Sequence, residues 1–511
     1  MQRLGARERF STPSTWAAGG RRPVPTHAPG VCSVVGAALL VLAGAGWGGS
    51  SEWFGPDTPL GPTRIGSVPS HLVSLTGLGL LVLGWLGTGV LVAAGRVSTR
   101  GVVFIAGATG IPLLIGPPLF SSDALTYVGI GELVDRGGNA YTQGWGATGR
   151  SDYVGRLPEF WRDTPSPYSP LSLRLVQLVA RVSGGDLDRG ALILRSVAVL
   201  AVVVTGVLVV RSARRVGASP TGPLWLAVAN PVVLLGGVSG AHLDVLVAPL
   251  LVIAFLLLDD LQPLLAGLAL GLAAQVKATA FVAVAVVAAW SVVRERDRPR
   301  LVGLTACAVA VAVFVAVTEL CRLGWGWTAT LGVPGSSNNS QTPIDALSDL
   351  AHRAGLGAHH GPVSMSGANR TTEYVALTVA AVGCLALVCT RQLRAAGAAG
   401  WALVLVSVLS GAVWFWYLIP ALGLLAGGHP ERGRRWTWAG LAGVCVLTLV
   451  GLTPSGAPAA SLQTPVGDVG YLVGYALVVG VVTVGFRQDR AGYGQGPMSG
   501  VVGQALVRDE V

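Results

Sequence analysis

In Ser121-Ser122-Asp123-Ala124-Leu125-Thr126-Tyr127 a carboxylate follows an apolar run that ends near Leu119. At a boundary between lipid and water a carboxylate is partly desolvated, which raises its pKa and suits Asp123 to act as a base. The same letters also read as a helix start, because a Ser or Asp before an apolar helix caps unpaired backbone N–H groups. Both roles coexist if Ser122 takes the cap and leaves Asp123 free.

Further on runs Glu159-Phe160-Trp161-Arg162-Asp163-Thr164-Pro165-Ser166-Pro167-Tyr168-Ser169-Pro170. Its prolines fix a stiff, extended path that holds Arg162, Asp163 and Tyr168 in place. Arg162 can grip a phosphate in bidentate fashion, or it can pair locally with Asp163 across a surface turn. Aromatic faces such as Tyr127 and Tyr168 are platforms for sugar rings. In Ser239-Gly240-Ala241-His242-Leu243-Asp244 the two polar residues are two apart and cannot share a helix face. That spacing argues against a His/Asp metal pair and for a polar mouth at the start of a span, or for a helix cap. Lys277, the single lysine of the chain, separates two half-length apolar helices. An ammonium at membrane depth is costly; it either serves function, pairs with an acid or snorkels to the interface. Arg195, about one turn inside its apolar run, invites the same reading. The cluster Trp414-Phe415-Trp416-Tyr417 is either an interfacial aromatic belt or a stacking wall.

The elements that must hold these residues follow from composition. Among 511 residues only 12% are charged and 52% are hydrophobic, with a further 72 glycines outside that count. A soluble chain of this length needs several polar surfaces, and an ordinary one carries about 25% charge. Too few charges remain for that, so lipid must be part of the solvent. Apolar runs long enough for a bilayer recur at Val31–Gly48, Leu72–Ala94, Val102–Leu119, Ala191–Val210, Pro223–Gly237, Leu243–Leu258, Leu301–Glu319, Tyr374–Thr390, Thr437–Leu452 and Val469–Phe486. Pro263–Val293 and Trp401–Gly427 read as pairs of short helices, broken at Gln275–Lys277 and at the aromatic cluster. The expectation is an all-α polytopic membrane protein of about 12–14 transmembrane helices. Alternating ten-residue strands are absent, which excludes a barrel.

The net charge of +10 and pI of about 9.8 first suggest nucleic acid. Thirty-four of the 35 basic residues are arginine. With the N-terminus inside, the cytosolic segments hold 21 arginines against 7 acids, whereas the opposite loops hold about as many acids as arginines. That asymmetry is the positive-inside rule, so the charge sets topology and no nucleic-acid partner is expected. The layout is a cytosolic Arg-rich tail over 1–30, a membrane domain over 31–486 and a cytosolic tail over 487–511. The first apolar run follows thirty polar residues and is long, so no cleavable signal is expected. None of the six cysteines has CxxC spacing, so neither a disulfide framework nor a metal site is expected. Two long external loops, Phe120–Arg189 and Arg322–Glu373, mix aromatics, prolines and acids and read as folded. Within the first, Ser169–Val182 carries Leu171, Leu175, Leu178, Val179 and Val182 on one face, the pattern of a helix lying in the interface.

The ordered set Ser-x-Asp123…Tyr127, Trp161-Arg162-Asp163-Thr-Pro-Ser-Pro-Tyr168, Gly-Ala-His242-x-Asp244, Val276-Lys277 and Trp414-Phe-Trp416-Tyr417 resembles the actinobacterial polyprenol-phosphomannose-dependent α-1,6-mannosyltransferases. Gly-Trp-Gly-Trp-Thr-Ala-Thr-Leu-Gly-Val-Pro-Gly, from Gly324 to Gly335, adds to the likeness, which covers about residues 100–430. The resemblance implies a GT-C-like bundle with two external loops carrying interfacial helices, and a metal-independent inverting transfer without a cofactor. It also implies a polyprenyl-phosphate-linked sugar donor and a mannan or lipoglycan acceptor at the outer face of the plasma membrane. On that reading Asp123 is the catalytic base, and Arg162, Arg195 or Lys277 meets the donor phosphate. Tyr127, Asp163, Tyr168, His242, Asp244, Trp414, Trp416 and Tyr417 line the substrate path. The chain departs from the pattern at Leu243, where a polar residue is expected, and at Ser169, where glycine is. Those departures bear on acceptor and linkage more than on reaction class. No Rossmann fingerprint in its strand-to-helix setting and no Walker motif is visible, and none is needed when the leaving group is a lipid phosphate. The competing class is a transporter or flippase of a lipid-linked sugar, which also uses broken helices. It would not need two substantial external loops, and no repeat of matching apolar segments is visible. A non-catalytic assembly scaffold would leave the external carboxylates dispensable.

Overall fold

A computed structural model describes residues 27–44, 67–293, 297–333, 395–409, 414–428, 435–449 and 469–480, with isolated positions between 346 and 354. The tails, most of the second long loop, Cys384, Cys389 and the expected span Tyr374–Thr390 lie outside the described residues. Among those described, every regular element is helical. In chain order they are α1 (Ala28–Gly44), α2 (Ser67–Ala93), α3 (Thr99–Ile115), α4 (Asp123–Asp135), α5 (Pro170–Ser183), α6 (Leu187–Arg215) and α7 (Thr221–Ala227). There follow α8 (Asp244–Asp259), α9 (Pro263–Val276), α10 (Phe281–Val293), α11 (Asp297–Cys321), α12 (Ala395–Leu409), α13 (Ile419–Gly428), α14 (Arg435–Leu449) and α15 (Val469–Gly480).

Three of them are long and apolar enough to cross a bilayer: Leu72–Ala93, Leu187–Arg215 and Arg298–Cys321. One bent pair passes the same test together, which brings the count to four among the described residues, and eight described apolar helices are shorter; the molecule is an all-α, multi-pass membrane protein. Exposed Leu and Val on α2, α3, α6, α9 and α11 form the outward faces that lipid would solvate. The expected single span Pro223–Gly237 is the clearest departure from the sequence reading. It divides into α7 and a π-helical segment, Val233–Ser239, which meets α8 at a 112° bend. The cause is local: Pro231 cannot donate to a helix ladder, and Asn230 Oδ1 takes the Val232 N–H at 2.9 Å. The other two interruptions fall where the sequence indicates. Helix α9 stops at Lys277 before a short 3-10 turn, and Phe415–Leu418 forms a 3-10 turn between α12 and α13.

One tryptophan pair ties α2 to α7. Trp85 on α2 and Trp225 on α7 stack at 4.6 Å. Each indole N–H donates to the other residue's carbonyl, at 3.2 and 2.9 Å, so neither buried donor is orphaned. Beside this frame, α4, α5 and the start of α6 form a platform built from the first long loop. The predicted amphipathic helix is present as α5, with part of its apolar stripe open to the surroundings. Leu178 and Val182 are exposed, while Ser172, Val176, Ala180 and Ser183 are buried against the protein. Small and hydroxyl side chains allow close backbone approach, with Leu173, Val176 and Val179 buried among them and Leu178 and Val182 left outward. The beginning of the second loop docks on the first, where Thr330 Oγ1 donates to Ser166 O at 2.8 Å.

Gly131 marks the tightest point of the platform, because a Cβ there would lie 2.1 Å from Val176 O on α5. Alanine is worth about 1 kcal/mol more than glycine in a helix interior. Overpacking against backbone, which cannot rotate away, costs about 1–3 kcal/mol and outweighs that gain. Gly131→Ala is therefore expected to lower the thermal midpoint in detergent, and an unchanged or raised midpoint would contradict this packing.

Candidate active site

Helix α3 ends at Ile115, and Gly116-Pro117-Pro118 carries the chain away from it because consecutive prolines cannot continue a helix. Phe120 then adopts φ +63°, an unfavourable left-handed conformation for a bulky residue. The turn delivers Ser121-Ser122-Asp123 to the start of α4. Ser122 occupies the N-cap position without a side-chain cap bond, and Ser121 Oγ accepts the Asp123 N–H at 3.1 Å. Asp123 is thus the first residue of α4, where the helix dipole favours a negative charge.

A second segment approaches from the π-helical turn. Ala241 has φ +49°, and Gly240 leaves room for the His242 ring: a Cβ there would sit 2.8 Å from Cδ2. His242 Nδ1 lies 3.3 Å from Asp123 Oδ2. Asp244 begins α8, again at a helix N-terminus, and its Oδ2 pairs with Lys277 Nζ at 2.5 Å. Lys277 stands at the C-cap of α9, where the dipole favours a cation. Its ammonium also lies 4.0 Å from the centre of the Tyr417 ring, a cation–π contact. The α9 terminus is held in turn by α5, whose Ser172 Oγ donates to Val276 O at 2.7 Å and whose N-cap Ser169 donates to Gln275 O.

These groups surround a cavity of about 360 Å³. Phe120, Ser121, Ser122 and Asp123 form one wall, Gly155–Pro158 with Phe160 and Trp161 another, and Pro167, Tyr168, Trp414, Trp416 and Tyr417 the rest. Trp414 stacks on Trp416 at 4.7 Å, and Trp416 stacks on His242 at 3.6 Å. The aromatic cluster is therefore a cavity wall, held by a break in the helix. Tyr168 Oη meets Tyr127 Oη at 3.0 Å, so Tyr127 supports the wall from behind while buried. Burial pushes the Tyr168 phenol well up, with the charge of Asp123 adding to it, so its hydroxyl stays neutral.

The structure corrects the sequence reading of Asp123 electrostatics. Burial by itself would raise its carboxyl, but His242, Ser121 and the more distant Lys277 more than offset it and hold the group below its usual value. Asp123 is an ionised carboxylate whose side chain is 22% exposed, enough to reach the cavity.

The other sequence candidates separate. Arg162 and Asp163 are exposed and do not line the cavity; Arg162 pairs with Glu159 at 2.8 Å. Arg195 is fully buried and directs its guanidinium to backbone carbonyls: Ser239 O at 2.7 Å, Leu114 O at 3.1 Å and Gly116 O at 2.5 Å. His242, Asp244 and Lys277 stand immediately behind the lining. Sequence reasoning missed Arg156, which with Asp123 makes up the charged lining among the described residues. Arg156 is paired with Asp188 at the start of α6. Only its place between Gly155 and Leu157-Pro158, in a loop beside the aromatic stretch, marks it in the sequence. No group of three metal-ligating side chains occurs among the described residues.

Breaking a buried ion pair by removing one partner costs about 3–5 kcal/mol, because a buried charge is left alone. Asp244→Asn is expected to destabilise the protein by that order in detergent unfolding, and Asp244→Asn with Lys277→Met to recover most of it. A double variant no more stable than the single one would remove the pair from the account.

Comparison with known proteins bears on the whole of this arrangement. A family model described as alpha-(1->6)-mannopyranosyltransferase, N-terminal domain, matches residues 30–294. The chain is 28% identical over 408 residues to alpha-(1->6)-mannopyranosyltransferase A of Mycobacterium tuberculosis, covering 76% of this chain and 77% of the relative. It is 28% identical over 437 residues to a probable alpha-(1->6)-mannopyranosyltransferase of Mycolicibacterium smegmatis, covering 77% of each. Against alpha-(1->6)-mannopyranosyltransferase B of Corynebacterium glutamicum it is 25% identical over 396 residues, covering 70% of this chain and 65% of the relative. No solved structure matches.

Proposed function

The chain belongs to the alpha-(1->6)-mannopyranosyltransferase family, and we propose that it moves mannose from a polyprenyl-phosphate donor to a mannan or lipoglycan acceptor in the cavity at Asp123. The reaction inverts, forms α-1,6 linkages and takes place on the outer face of the plasma membrane. The observation that carries this reading is the pairing, in one cavity, of an ionised carboxylate with a stacked tryptophan wall and an arginine.

Each part has a chemical task. Trp414 offers an aromatic face on which a sugar ring can stack. Asp123 accepts the proton of the acceptor hydroxyl as that oxygen bonds to the anomeric carbon. The bond from that carbon to the phosphate oxygen breaks, and the electron pair leaves with the lipid phosphate. Arg156 is the lining cation suited to the phosphate, with a planar fork of donors. It replaces Arg162, which faces solvent, and Arg195, whose donors are directed to backbone. Lys277 acts from behind the wall through its positive field. A single displacement on a β-linked donor yields an α-linked product.

The test is transfer in detergent, with polyprenyl-phosphomannose and a short mannoside and no sealed compartment. A longer product is expected from the native protein, and at least about a hundredfold lower turnover from Asp123→Asn at equal accumulation. The base works ionised, so turnover falls as pH drops through the Asp123 pKa. Because that value is held below 3.8, the acid limb is expected below the usual carboxylate range. Arg156→Ala is expected to raise the donor KM by about 10- to 100-fold, the worth of a charged hydrogen bond; Arg162→Ala should change it by no more than about twofold. Activity that needs closed vesicles and leaves the sugar chemically unchanged would instead identify a carrier.

A further inference from the structure

His242 is 1% exposed, and neither ring nitrogen has a hydrogen-bond partner among the described residues. Buried polar groups are nearly always satisfied, because an unmade hydrogen bond leaves the full desolvation cost. This imidazole is nevertheless held with care. Its ring lies flat on Trp416, with an interplanar angle of 11°. Gly240 leaves space against Cδ2 and Nε2, and Ala241 adopts a strained backbone conformation one residue before it. The His242 backbone N–H donates to Gly236 O at 3.1 Å, and the carbonyl of Ser239, three residues earlier, is gripped by Arg195. Packing of this quality around an unsatisfied group indicates that the group's orientation is what is being held.

Nδ1 points to the one carboxylate of the cavity wall, 3.3 Å from Asp123 Oδ2. The separation is slightly long for a charge-assisted hydrogen bond, which settles near 2.8 Å. Such bonds are often loose in an unliganded enzyme and tighten when substrate is bound. The charged and titratable groups around the pair are Tyr127 and Tyr168 of the first loop, Asp244 at the start of α8, Lys277 after α9 and Tyr417 in the aromatic turn. Lys277 is committed to Asp244 and Tyr417. Tyr127 and Tyr168 bond each other. Ser121 and His242 are the side chains that reach the Asp123 carboxylate, and of the two only His242 also joins it to the aromatic wall.

We propose that His242 is a positioning residue for Asp123: its Nδ1–H holds Oδ2, sets the carboxylate toward the cavity and keeps it ionised until the acceptor proton arrives. The ring also joins the sugar-stacking wall to the base, because Trp414, Trp416 and His242 form one continuous stack. A sugar seated on that wall presses on the element that aims the carboxylate. The inference rests on the transferase reading above.

Three substitutions separate the nitrogen from the ring. Asparagine places an amide N–H near Nδ1, glutamine places it near Nε2, and phenylalanine keeps the stack without any donor. In the detergent assay His242→Asn is expected to stay within about tenfold of native kcat, while His242→Gln and His242→Phe fall by about a hundredfold with donor KM changed little. The acid limb of kcat is expected to move to higher pH in the glutamine and phenylalanine variants and to stay near native in the asparagine variant. The sign follows because loss of a donor to the charged form raises the carboxyl pKa. Native-like kcat and acid limb in His242→Phe would overturn the proposal, showing that the ring alone matters. Equal loss in all three variants with an unmoved limb would also overturn it, showing a purely structural role. A native protein inactive with polyprenyl-phosphomannose would overturn the transferase reading itself, and the role of His242 with it, an outcome distinct from any loss confined to the variants.

Discussion

Arg195 lies on α6 with its guanidinium wholly buried, and it bonds carbonyls from two separate parts of the chain. Leu114 and Gly116 belong to the end of α3, and Ser239 closes the π-helical segment. Ser239 adds a reciprocal tie, since its Oγ accepts the Leu119 N–H at 3.2 Å. Both segments have left the helical ladder at these points, so their carbonyls need donors that water cannot supply in an apolar interior. One arginine supplies several in a rigid plane. Four residues past Leu119 stands Asp123, and three past Ser239 stands His242. The meeting of carboxylate and imidazole is thus a consequence of where one guanidinium is satisfied.

Around that clamp the charges are seated by backbone electrostatics. Asp123 and Asp244 each open a helix, and Lys277 closes one, so every charge sits at the helix end whose dipole suits it. Left in lipid or in a dry core, any of the three would be costly. Paired and dipole-matched, they keep a polar floor beneath an aromatic wall. The broken helices are what make such a floor feasible, since each break turns a terminus inward. The platform α4–α5 completes it by capping the last carbonyls of α9 with serine hydroxyls.

Much of this was legible before any coordinates. Helix breaks at Lys277 and at Trp414–Tyr417 follow from a lone polar residue and an aromatic cluster inside apolar runs. Asp123, Tyr168, Trp414, Trp416 and Tyr417, all singled out by residue type and setting in the sequence, line one cavity. Other features were not legible. Arg162 and Arg156 are the same residue type in the same loop, and only the fold decides that one pairs with Glu159 in solvent while the other lines the cavity. Helix α5 was recognisable by its stripe, but a stripe does not say whether protein or lipid covers it. Pro223–Gly237 met a length criterion, whereas Asn230-Pro231 divides it by local hydrogen-bonding rules that a hydropathy count does not see.

Composition and periodicity by themselves determined an all-helical membrane protein and the short list of groups able to do chemistry. These depend on the solvent each residue prefers and on spacing along one chain, both of which are local. The tertiary structure alone decided which charges are spent on structure and which face the cavity. It buried Arg195 among carbonyls, locked Lys277 to Asp244, lowered rather than raised the Asp123 carboxyl and set His242 behind it. Those outcomes depend on distances between residues dozens to hundreds of positions apart, and electrostatic energy is governed by such distances and by burial rather than by order in the sequence.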